Sequence, residues 1–290
     1  MVQLNWPFRA SEALDAGRIT SRELRRTCVP VYPGVWVPRD VELSHRSYAR
    51  AAWLWSRRSG IPAGLSAAAV LGSKWIDANK PVELIHTNRR PPSGIIVHTD
   101  ALSSGETQLA SGMSITTPAR TAFDLGRRLP LTEGVQRIDA LLNATGIKIG
   151  DIEDIIAAHP GARGVRQLRR TLTLVDSGAE SPYESLTRLL LVQAGFPRPE
   201  TQLEVFEECG ALFARLDMGW CEYGVGVDFD GAQHWTDPRR RSWDVERYAR
   251  LPELGWIDIR VTAGMLHNRR SAFFDRVGAA LMSRGCPRTW

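Results

Sequence analysis

Acidic side chains at the end of an apolar stretch are the first feature of the sequence that could do chemistry. The stretch GVGVDFDGAQHW covers residues 224–235, and its apolar residues alternate with small or acidic ones. This alternation is typical of a half-buried β-strand, and it places Asp228 and Asp230 on the same face. Gly231 then ends the strand, and His234 follows three residues later. Carboxylates beside a histidine are suited to metal binding or to proton transfer.

Two more acids are expected near this strand. Asp217 lies in a predicted strand eleven positions before Asp228, and Glu184 lies on the preceding predicted helix. Carboxylates that converge repel one another unless some are protonated or a divalent cation binds them. Mg²⁺ or Mn²⁺ would take these oxygen ligands, polarise a phosphodiester and activate water, with His234 as general acid or base. Each acid taken singly is more readily a surface or strand-end charge, whereas the four acids taken together in this order favour a site. His234 is equally consistent with a turn residue packed on Trp235.

The residues around these acids predict a mixed sheet flanked by helices. A helix capped by Ser181, with Pro182 in its first turn, precedes three strands in PETQLEVFEE and LFARLDMGWCEYGVGVDFDG. A helix in RRRSWDVERYARLPELG, a strand in WIDIRVT and a helix in RRSAFFDRVGAALMSRG complete the chain. Pairing of the second and third strands would bring Asp217 close to Asp228 and Asp230.

The first 44 residues predict a helix–turn–helix followed by a hairpin. A helix over Ala10–Ala16, capped by Ser11, ends at Gly17, and a second helix begins at Ser21. The stretch Cys28–Val37 alternates around a Pro-Gly turn, as a two-stranded hairpin does. Such a unit can place its second helix in a DNA major groove, although it also serves as a protein-contact module. The candidate DNA-binding residues are the arginines of the second helix, Arg22, Arg25 and Arg26.

The middle of the chain predicts a small α/β domain. Helices are expected in SYARAAWLWSRR and SAAAVLG, strands in PVELIHTN and GIIVHT, and a helix that starts at Pro118 with Thr117 as its cap. Further on, the spacing of four arginines predicts one basic helical face, which either grips a nucleic-acid backbone or is solvated: Arg163, Arg166, Arg169 and Arg170. The stretch DSGAESP is the best boundary, so the predicted domains are 1–44, 45–178 and 179–290.

Charge and composition are those of a globular protein whose N-terminal part, residues 1–178, is basic. The 290 residues have a formal net charge of +5, and residues 1–178 hold 23 Lys and Arg against 16 Asp and Glu. A basic front fits nucleic-acid binding, although this excess is also unremarkable for a segment of that length. No apolar run reaches the ~18 residues of a membrane helix, and the first residues lack a secretory signal. We therefore expect a cytoplasmic protein without membrane contact. Four scattered cysteines without a CxxC pair are expected to be packing residues.

The acidic region resembles a nuclease superfamily. Residues 180–265, with ESPYE, RLDMGW, VGVDFDGAQHW and WIDIRVT, are similar to the PD-(D/E)XK superfamily, and within it to a bacterial group of unknown function allied to the very-short-patch mismatch-repair endonuclease. The resemblance implies that Glu184, Asp217 and Asp228 hold the metal, with support from Asp230 and His234. The position of the superfamily's usual lysine is Asp230 here, and the second acid is Asp228 rather than the commoner glutamate.

The front of the chain resembles a different family. RASEALDAGRITSRELRRT and VYPGVWVP are similar to the winged-helix module of AbiEi-type antitoxins, which are transcriptional autoregulators in type IV toxin–antitoxin operons. GMSITTPARTAFDLGR resembles the segment that follows this module in actinobacterial relatives. The resemblance implies DNA binding, autorepression and, as partner, a cognate toxin or a second copy of the chain.

The expected fold is therefore a multidomain α+β and α/β chain. It has an N-terminal winged helix, a middle α/β domain and a C-terminal restriction-endonuclease-like mixed sheet flanked by helices. The predicted function is that of a DNA-binding protein whose last domain is a Mg²⁺-dependent endonuclease for phosphodiester bonds. The alternative is a non-catalytic transcriptional regulator, an antitoxin-like autorepressor with a degenerate nuclease fold.

Overall fold

The computed structural model describes residues 5–231 and 249–290 and divides the chain into two compact units. The first unit is Met1–Thr173 and the second is Leu174–Trp290. Both are mixtures of helices and small sheets, as the predicted class requires. The predicted division into three domains stays a prediction.

The first unit opens with two short helices and a three-stranded sheet. Its elements are β1 (Phe8–Arg9), α1 (Ala10–Asp15), α2 (Ser21–Thr27), β2 (Cys28–Tyr32) and β3 (Val35–Pro38). The strands lie in the order β1-β3-β2 and are antiparallel, with Gly34 at φ 77° in the turn between β2 and β3. The predicted helices and hairpin are thus present, whereas the winged-helix assignment stays a prediction. A small apolar cluster holds them together: Phe8, Ala13, Leu24 and Cys28.

The rest of the first unit consists of short strands followed by a helical layer. The elements are α3 (His45–Trp55), β4 (Ile61–Pro62), α4 (Gly64–Val70), β5 (Val82–Ile85), β6 (Ile95–His98), β7 (Thr107–Ala110), β8 (Met113–Thr116), α5 (Pro118–Arg128), α6 (Leu131–Thr145), α7 (Ile149–Ala158) and α8 (Val165–Leu172). Strand β5 pairs antiparallel with β4 and parallel with β6. Thr117 caps α5 as predicted, because its side chain accepts the Arg120 N–H.

The second unit is a four-stranded mixed sheet with helices. The elements are α9 (Pro182–Gln193), β9 (Glu200–Phe206), β10 (Leu212–Trp220), β11 (Val225–Phe229), β12 (Ile257–Val261), α10 (Ala263–Asn268) and α11 (Arg270–Ser283). The order is β12-β11-β10-β9, with β9, β10 and β11 antiparallel and β12 parallel to β11. The predicted meander and Ser181 cap are confirmed. The main core includes Leu191, Met218, Val227, Val261 and Phe273.

Several local predictions were wrong, each for an identifiable reason. Strand β11 is buried on both faces rather than half-buried, because Gly226 gives Leu216 room: a Cβ at 226 would lie 2.4 Å from Leu216 Cδ1. Ser11 does not cap α1, since Arg9 occupies the N-cap position and no side chain caps it. Arg163 precedes α8, whose N-cap is Gly164 at φ 88°, so the four arginines do not share one helix.

The cysteine prediction was correct for only half of the set. Cys28 and Cys286 are buried packing residues, as expected. Cys209 and Cys221 are exposed, the first in the turn between β9 and β10 and the second directly after β10. These two therefore do not contribute to a core.

Candidate functional site

Helix α2 is a short, well-capped helix with a basic surface. Thr20 and Glu23 form a capping box: Glu23 N–H donates to Thr20 Oγ1 at 3.2 Å, and Thr20 N–H donates to Glu23 Oε2 at 2.9 Å. Hydrogen bonds from the Thr20 side chain and N–H hold the pKa of Glu23 below its usual value. Leu24 is buried and anchors the helix, so the other side chains of α2 point outward.

The predicted DNA-binding arginines lie on this outward surface. Arg22, Arg25 and Arg26 are all exposed, and within the described part of the chain none has a carboxylate within 4.0 Å. Arg25 Nε donates to the Ser21 carbonyl at 3.3 Å. Arg39, directly after β3, donates through Nη2 to the Arg25 carbonyl at 3.0 Å and through Nε to the Arg26 carbonyl at 3.1 Å. The last turn of α2 is thus tied to the end of the hairpin by one guanidinium group.

An ion pair links α1 to the residues after α3. Both guanidinium nitrogens of Arg58 contact the Glu12 carboxylate at 2.6 Å, and Arg9 contacts it at 3.1 Å. The hydrogen bond from Arg58 is the main cause that lowers the pKa of Glu12 to about 2. Both side chains of the pair are largely exposed, so the pair adds little to the free energy of unfolding. Its effect is to orient α1 against the residues after α3.

The middle of the first unit contains a buried charge network that the sequence analysis missed. Arg120 is 1% exposed, contacts Glu106, and donates to Asp124 Oδ2 at 3.2 Å and to the Ala101 carbonyl at 3.1 Å. Glu106 also contacts His159. Burial alone would raise the pKa of Glu106, but hydrogen bonds from His159, Ser103 N–H and Arg120 lower it overall.

The network continues along α5. Arg127 Nε donates to Asp124 Oδ1 at 3.0 Å and also contacts Asp100, and Arg128 Nη2 lies 2.9 Å from Asp100 Oδ2. The sequence signal was present: in PARTAFDLGRR, Arg120 and Arg128 flank Asp124 at four-residue spacing on one helix. Each charged side chain of the network has an oppositely charged partner, so we interpret the network as structural: it holds α5 in place.

In the second unit, Asp217 and Asp228 lie opposite one another where β10 and β11 diverge. The last ladder pair is Met218 opposite Val227. One step further, Asp228 Oδ1 accepts the Asp217 N–H at 2.8 Å, and Asp217 Oδ2 accepts the Phe229 N–H at 2.7 Å. Carboxylate oxygens therefore act as acceptors for main-chain N–H groups across this strand pair. Asp228 is 5% exposed and Asp217 is half-buried.

Glu184 approaches the same place from α9. The ring of Tyr183 stacks on Phe229 with centroids 4.5 Å apart, which fixes the start of α9 against the end of β11. Glu184 Oε2 accepts the Glu180 N–H at 2.7 Å and the Gln202 side-chain amide at 3.3 Å. Burial raises the pKa of Glu184, and the nearby charges of Glu180 and Asp228 raise it further, while its hydrogen bonds oppose this.

Asp230 is engaged away from this pair. Asp230 forms an ion pair with Arg260 at 2.9 Å, and its N–H donates to the Val261 carbonyl. His234 lies outside the described residues. Across residues 5–231 and 249–290, no group of three or more His, Cys, Asp or Glu side chains is arranged to hold a metal ion. Asp217, Asp228 and Glu184 accept main-chain N–H groups, and Asp230 pairs with Arg260. The Mg²⁺ site therefore stays a prediction.

The family match lies almost entirely within the first unit. Residues 43–176 match the model of the AbiEi antitoxin C-terminal domain. This match covers α3 to α8 and includes the buried network around Arg120. The chain therefore belongs to the family of proteins that carry this antitoxin domain.

Two curated relatives share more of the chain. They are Uncharacterized protein Rv2248 and Uncharacterized protein MT2308, from two strains of Mycobacterium tuberculosis. Each is 30% identical over 198 residues, which are 66% of this chain and 72% of the relative. No solved structure matches the chain significantly.

These comparisons support part of the resemblance drawn from the sequence. The antitoxin resemblance of the middle region is confirmed. The family match ends at residue 176, so it does not extend to the acids of the second unit, and nuclease activity stays unsupported. Within the described residues, no helix has the length and apolar character needed to cross a membrane.

Proposed function

We propose that this chain is a DNA-binding regulator of a toxin–antitoxin pair, in which the exposed arginines of α2 contact DNA. The observation that carries the proposal is the antitoxin domain at residues 43–176, directly preceded by a helix–turn–helix and hairpin. In toxin–antitoxin operons, an antitoxin that represses its own promoter needs such a DNA-contacting part. The partner in this proposal is a cognate toxin, with self-association on the operator as the alternative.

The electrostatics of α2 agree with phosphate contacts. Three guanidinium groups in five residues project from a helix whose acidic Glu23 is occupied by Thr20. Arginine–phosphate contacts release counterions from the DNA, so binding weakens as the salt concentration rises. In a plot of log affinity against log salt concentration, each phosphate contact makes the slope steeper by about 0.9. Base contacts from the same helix would add sequence preference.

The test is binding of a labelled duplex from the chain's own promoter, measured by fluorescence anisotropy across salt concentrations. Arg22→Ala and Arg25→Ala are each expected to weaken binding and to reduce the salt slope by about 1. Arg276→Ala is the matched control, because it removes the same charge from an exposed position of α11 in the second unit. Unchanged affinity and slope for both α2 variants would refute this placement.

Antitoxin function needs a separate experiment. The chain is coexpressed with the toxin candidate from its own operon, and growth is compared with that of cells holding the toxin candidate alone. Restored growth supports the antitoxin assignment. If Arg22→Ala restores growth as well as the unaltered chain does, toxin neutralisation does not depend on DNA binding by α2.

A metal-dependent endonuclease is the second candidate, favoured by one observation. Asp217 and Asp228 lie opposite one another across two strands, and Glu184 stands close enough to Asp228 for their charges to interact. The proposal assigns Asp217, Asp228 and Glu184 to a Mg²⁺ or Mn²⁺ site, supported by Asp230 and His234.

This candidate is tested by plasmid nicking with Mn²⁺ and by the melting temperature with and without Mn²⁺. Cleavage that is lost in Asp217→Asn would establish the endonuclease, since asparagine can still accept the Phe229 N–H. Asp275→Asn, an exposed change on α11, is the control. A wild-type chain that neither cleaves DNA nor melts at a higher temperature with Mn²⁺ rejects this candidate.

A further inference from the structure

Two clefts of the first unit meet at Ser59 and His86. One has a volume of about 700 Å³ and lies between the turn of the β2–β3 hairpin and the residues after α3. The other has a volume of about 490 Å³ and continues along the loop that follows β5. Because Ser59 and His86 line both clefts, the clefts are adjacent, and together they are called the Ser59–His86 groove below.

The groove has an excess of positive charge. Arg57 lines one cleft and Arg89 the other, both are exposed, and within the described part of the chain neither has a carboxylate within 4.0 Å. The one carboxylate among the lining residues, Asp100, is compensated by Arg127 and Arg128. An anionic ligand would therefore meet two available guanidinium groups without a competing carboxylate.

The groove also has an aromatic wall. Trp55, half-buried at the end of α3, and His86 line it together, and their rings are tilted with centroids 6.2 Å apart. The Asn88 N–H donates to His86 Nδ1 at 3.0 Å, and Ser59 Oγ lies 2.9 Å from His86 Nε2. Two fixed ring faces between two arginines suit a ligand that carries both negative charge and flat rings.

The same hydrogen bonds argue against catalysis by the Ser59–His86 pair. Since Nδ1 of neutral His86 accepts a bond, its proton is on Nε2, which then donates to Ser59 Oγ. Ser59 in turn donates its proton to the Ser56 carbonyl at 2.5 Å. A histidine that donates to the hydroxyl cannot accept its proton, so Ser59 is not an activated nucleophile.

We propose that the Ser59–His86 groove binds a single-stranded nucleic-acid segment. Its phosphates contact Arg57 and Arg89, and its bases stack on Trp55 and His86. A duplex keeps its bases stacked inside the helix, whereas a single strand can turn them toward aromatic side chains. This binding is separate from the duplex contact proposed for α2, and the two can fail independently.

The test is fluorescence anisotropy with a labelled single-stranded DNA of mixed sequence, the same sequence as RNA, and the DNA as a duplex. Arg57→Asn removes the charge but tolerates the left-handed backbone of this residue, whose φ is 57°. Arg57→Asn and Arg89→Ala are each expected to weaken single-strand binding about fivefold. Each should also reduce the log–log salt slope by about 0.7.

The control is Arg90→Ala, which removes the same charge from an exposed position of the same loop that does not line the groove. Its single-strand affinity should equal that of the wild type, and duplex affinity should be unchanged in the groove variants. Trp55→Leu should weaken single-strand binding without a change in salt slope, because it removes stacking but no charge. Circular dichroism verifies that each variant is folded.

Three results would overturn the proposal. The first is that the wild type does not bind the single strand at low salt. The second is that Arg90→Ala loses as much single-strand affinity as the groove variants do. The third is that Arg57→Asn and Arg89→Ala lose as much duplex affinity as single-strand affinity. The first two mean that the groove is not the site, and the third means that it belongs to the duplex surface. If Arg22→Ala lowers duplex binding alone, the proposal for α2 stands whatever the groove variants do.

Discussion

Removal of the Arg120 side-chain charge is the sharpest test of how the first unit is held together. Arg120 is 1% exposed and lies between two buried carboxylates, Glu106 at 2% and Asp124 at 0% exposure. Arg120→Met keeps a long unbranched side chain but removes the guanidinium group and its bonds to Glu106, Asp124 and the Ala101 carbonyl. The carboxylates then stay buried with less compensating charge.

The expected cost follows from what remains around each carboxylate. Asp124 keeps Arg127 and Arg128, whereas within the described part of the chain the Glu106 carboxylate keeps His159 and the Ser103 N–H. Removing one partner of a buried ion pair costs about 3–5 kcal/mol. Because Asp124 stays compensated, we expect the lower end, about 3 kcal/mol. For a unit of this size that corresponds to a melting temperature lower by roughly 6–12 °C.

The assay is urea and thermal unfolding of the full chain, followed by circular dichroism. Lys80→Met is the control, since Lys80 pairs with Glu133 at 3.1 Å with side chains 42% and 25% exposed. It should cost less than about 1 kcal/mol. The double variant Arg120→Met with Glu106→Gln should recover part of the loss, because it removes the buried charge left behind. Equal costs for Arg120→Met and Lys80→Met, or no recovery in the double variant, would refute this reasoning.

Three further changes test other parts of the structure. Gly164→Ala should destabilise the first unit by more than about 2 kcal/mol in urea unfolding, because φ is 88° and the new Cβ would lie 2.2 Å from the Arg127 carbonyl oxygen. Gly161→Ala is the control: the space around Gly161 is open, so this change should be nearly neutral. The pKa of Glu184 is raised in the folded state, so its protonated carboxyl contributes to stability fully at pH values below the ordinary pKa of 4.5. This contribution is lost as the pH rises through the higher folded-state pKa. Glu184→Gln should therefore flatten the pH dependence of the free energy of unfolding on the alkaline side of 4.5. Thr20→Ala should cost about 1 kcal/mol through loss of the capping box, measured by thermal unfolding, with Thr173→Ala as the exposed control outside any N-cap.

Helix starts were predictable from the sequence because their signals are local. Thr117 before Pro118 and Ser181 before Pro182 each combine a capping side chain with a first-turn proline, and both helices begin there. The predicted cap at Ser11 was wrong because Ser11 is already the second residue of a helix that starts at Ala10 with no side-chain cap. A capping residue marks a helix start only where its own backbone is non-helical.

Burial was harder to predict because it depends on residues that are distant along the chain. Strand β11 appears half-buried in sequence, since Gly226 and Asp228 resemble solvent-facing positions, yet both are buried by neighbouring elements. The buried network likewise requires Glu106 from before β7 to meet Arg120, and His159 from after α7 to meet Glu106. The spacing within α5 could have indicated its ion pairs, but not which distant acids complete them.

The proximity of Asp217 and Asp228 followed correctly from strand pairing, but their hydrogen bonds did not. Sequence reasoning placed both acids on adjacent strands, and the register confirms that they lie opposite each other. It gave no indication that each carboxylate accepts a main-chain N–H of the other strand. Such bonds depend on the position at which the backbone pairing of β10 and β11 ends. The twist of the sheet, rather than any single residue, determines that position.

The guanidinium group of Arg39 has a consequence for how the N-terminal module can evolve. It joins the end of the hairpin to the Arg25 and Arg26 carbonyls in the last turn of α2, so the helix and the hairpin must rotate together when they approach another molecule. Insertions that lengthen the β2–β3 turn would leave this joint intact, whereas a shift of one residue at position 39 would change the tilt of the helix. New binding preferences in this module would therefore arise more readily by exchange of outward side chains than by reorientation of the helix.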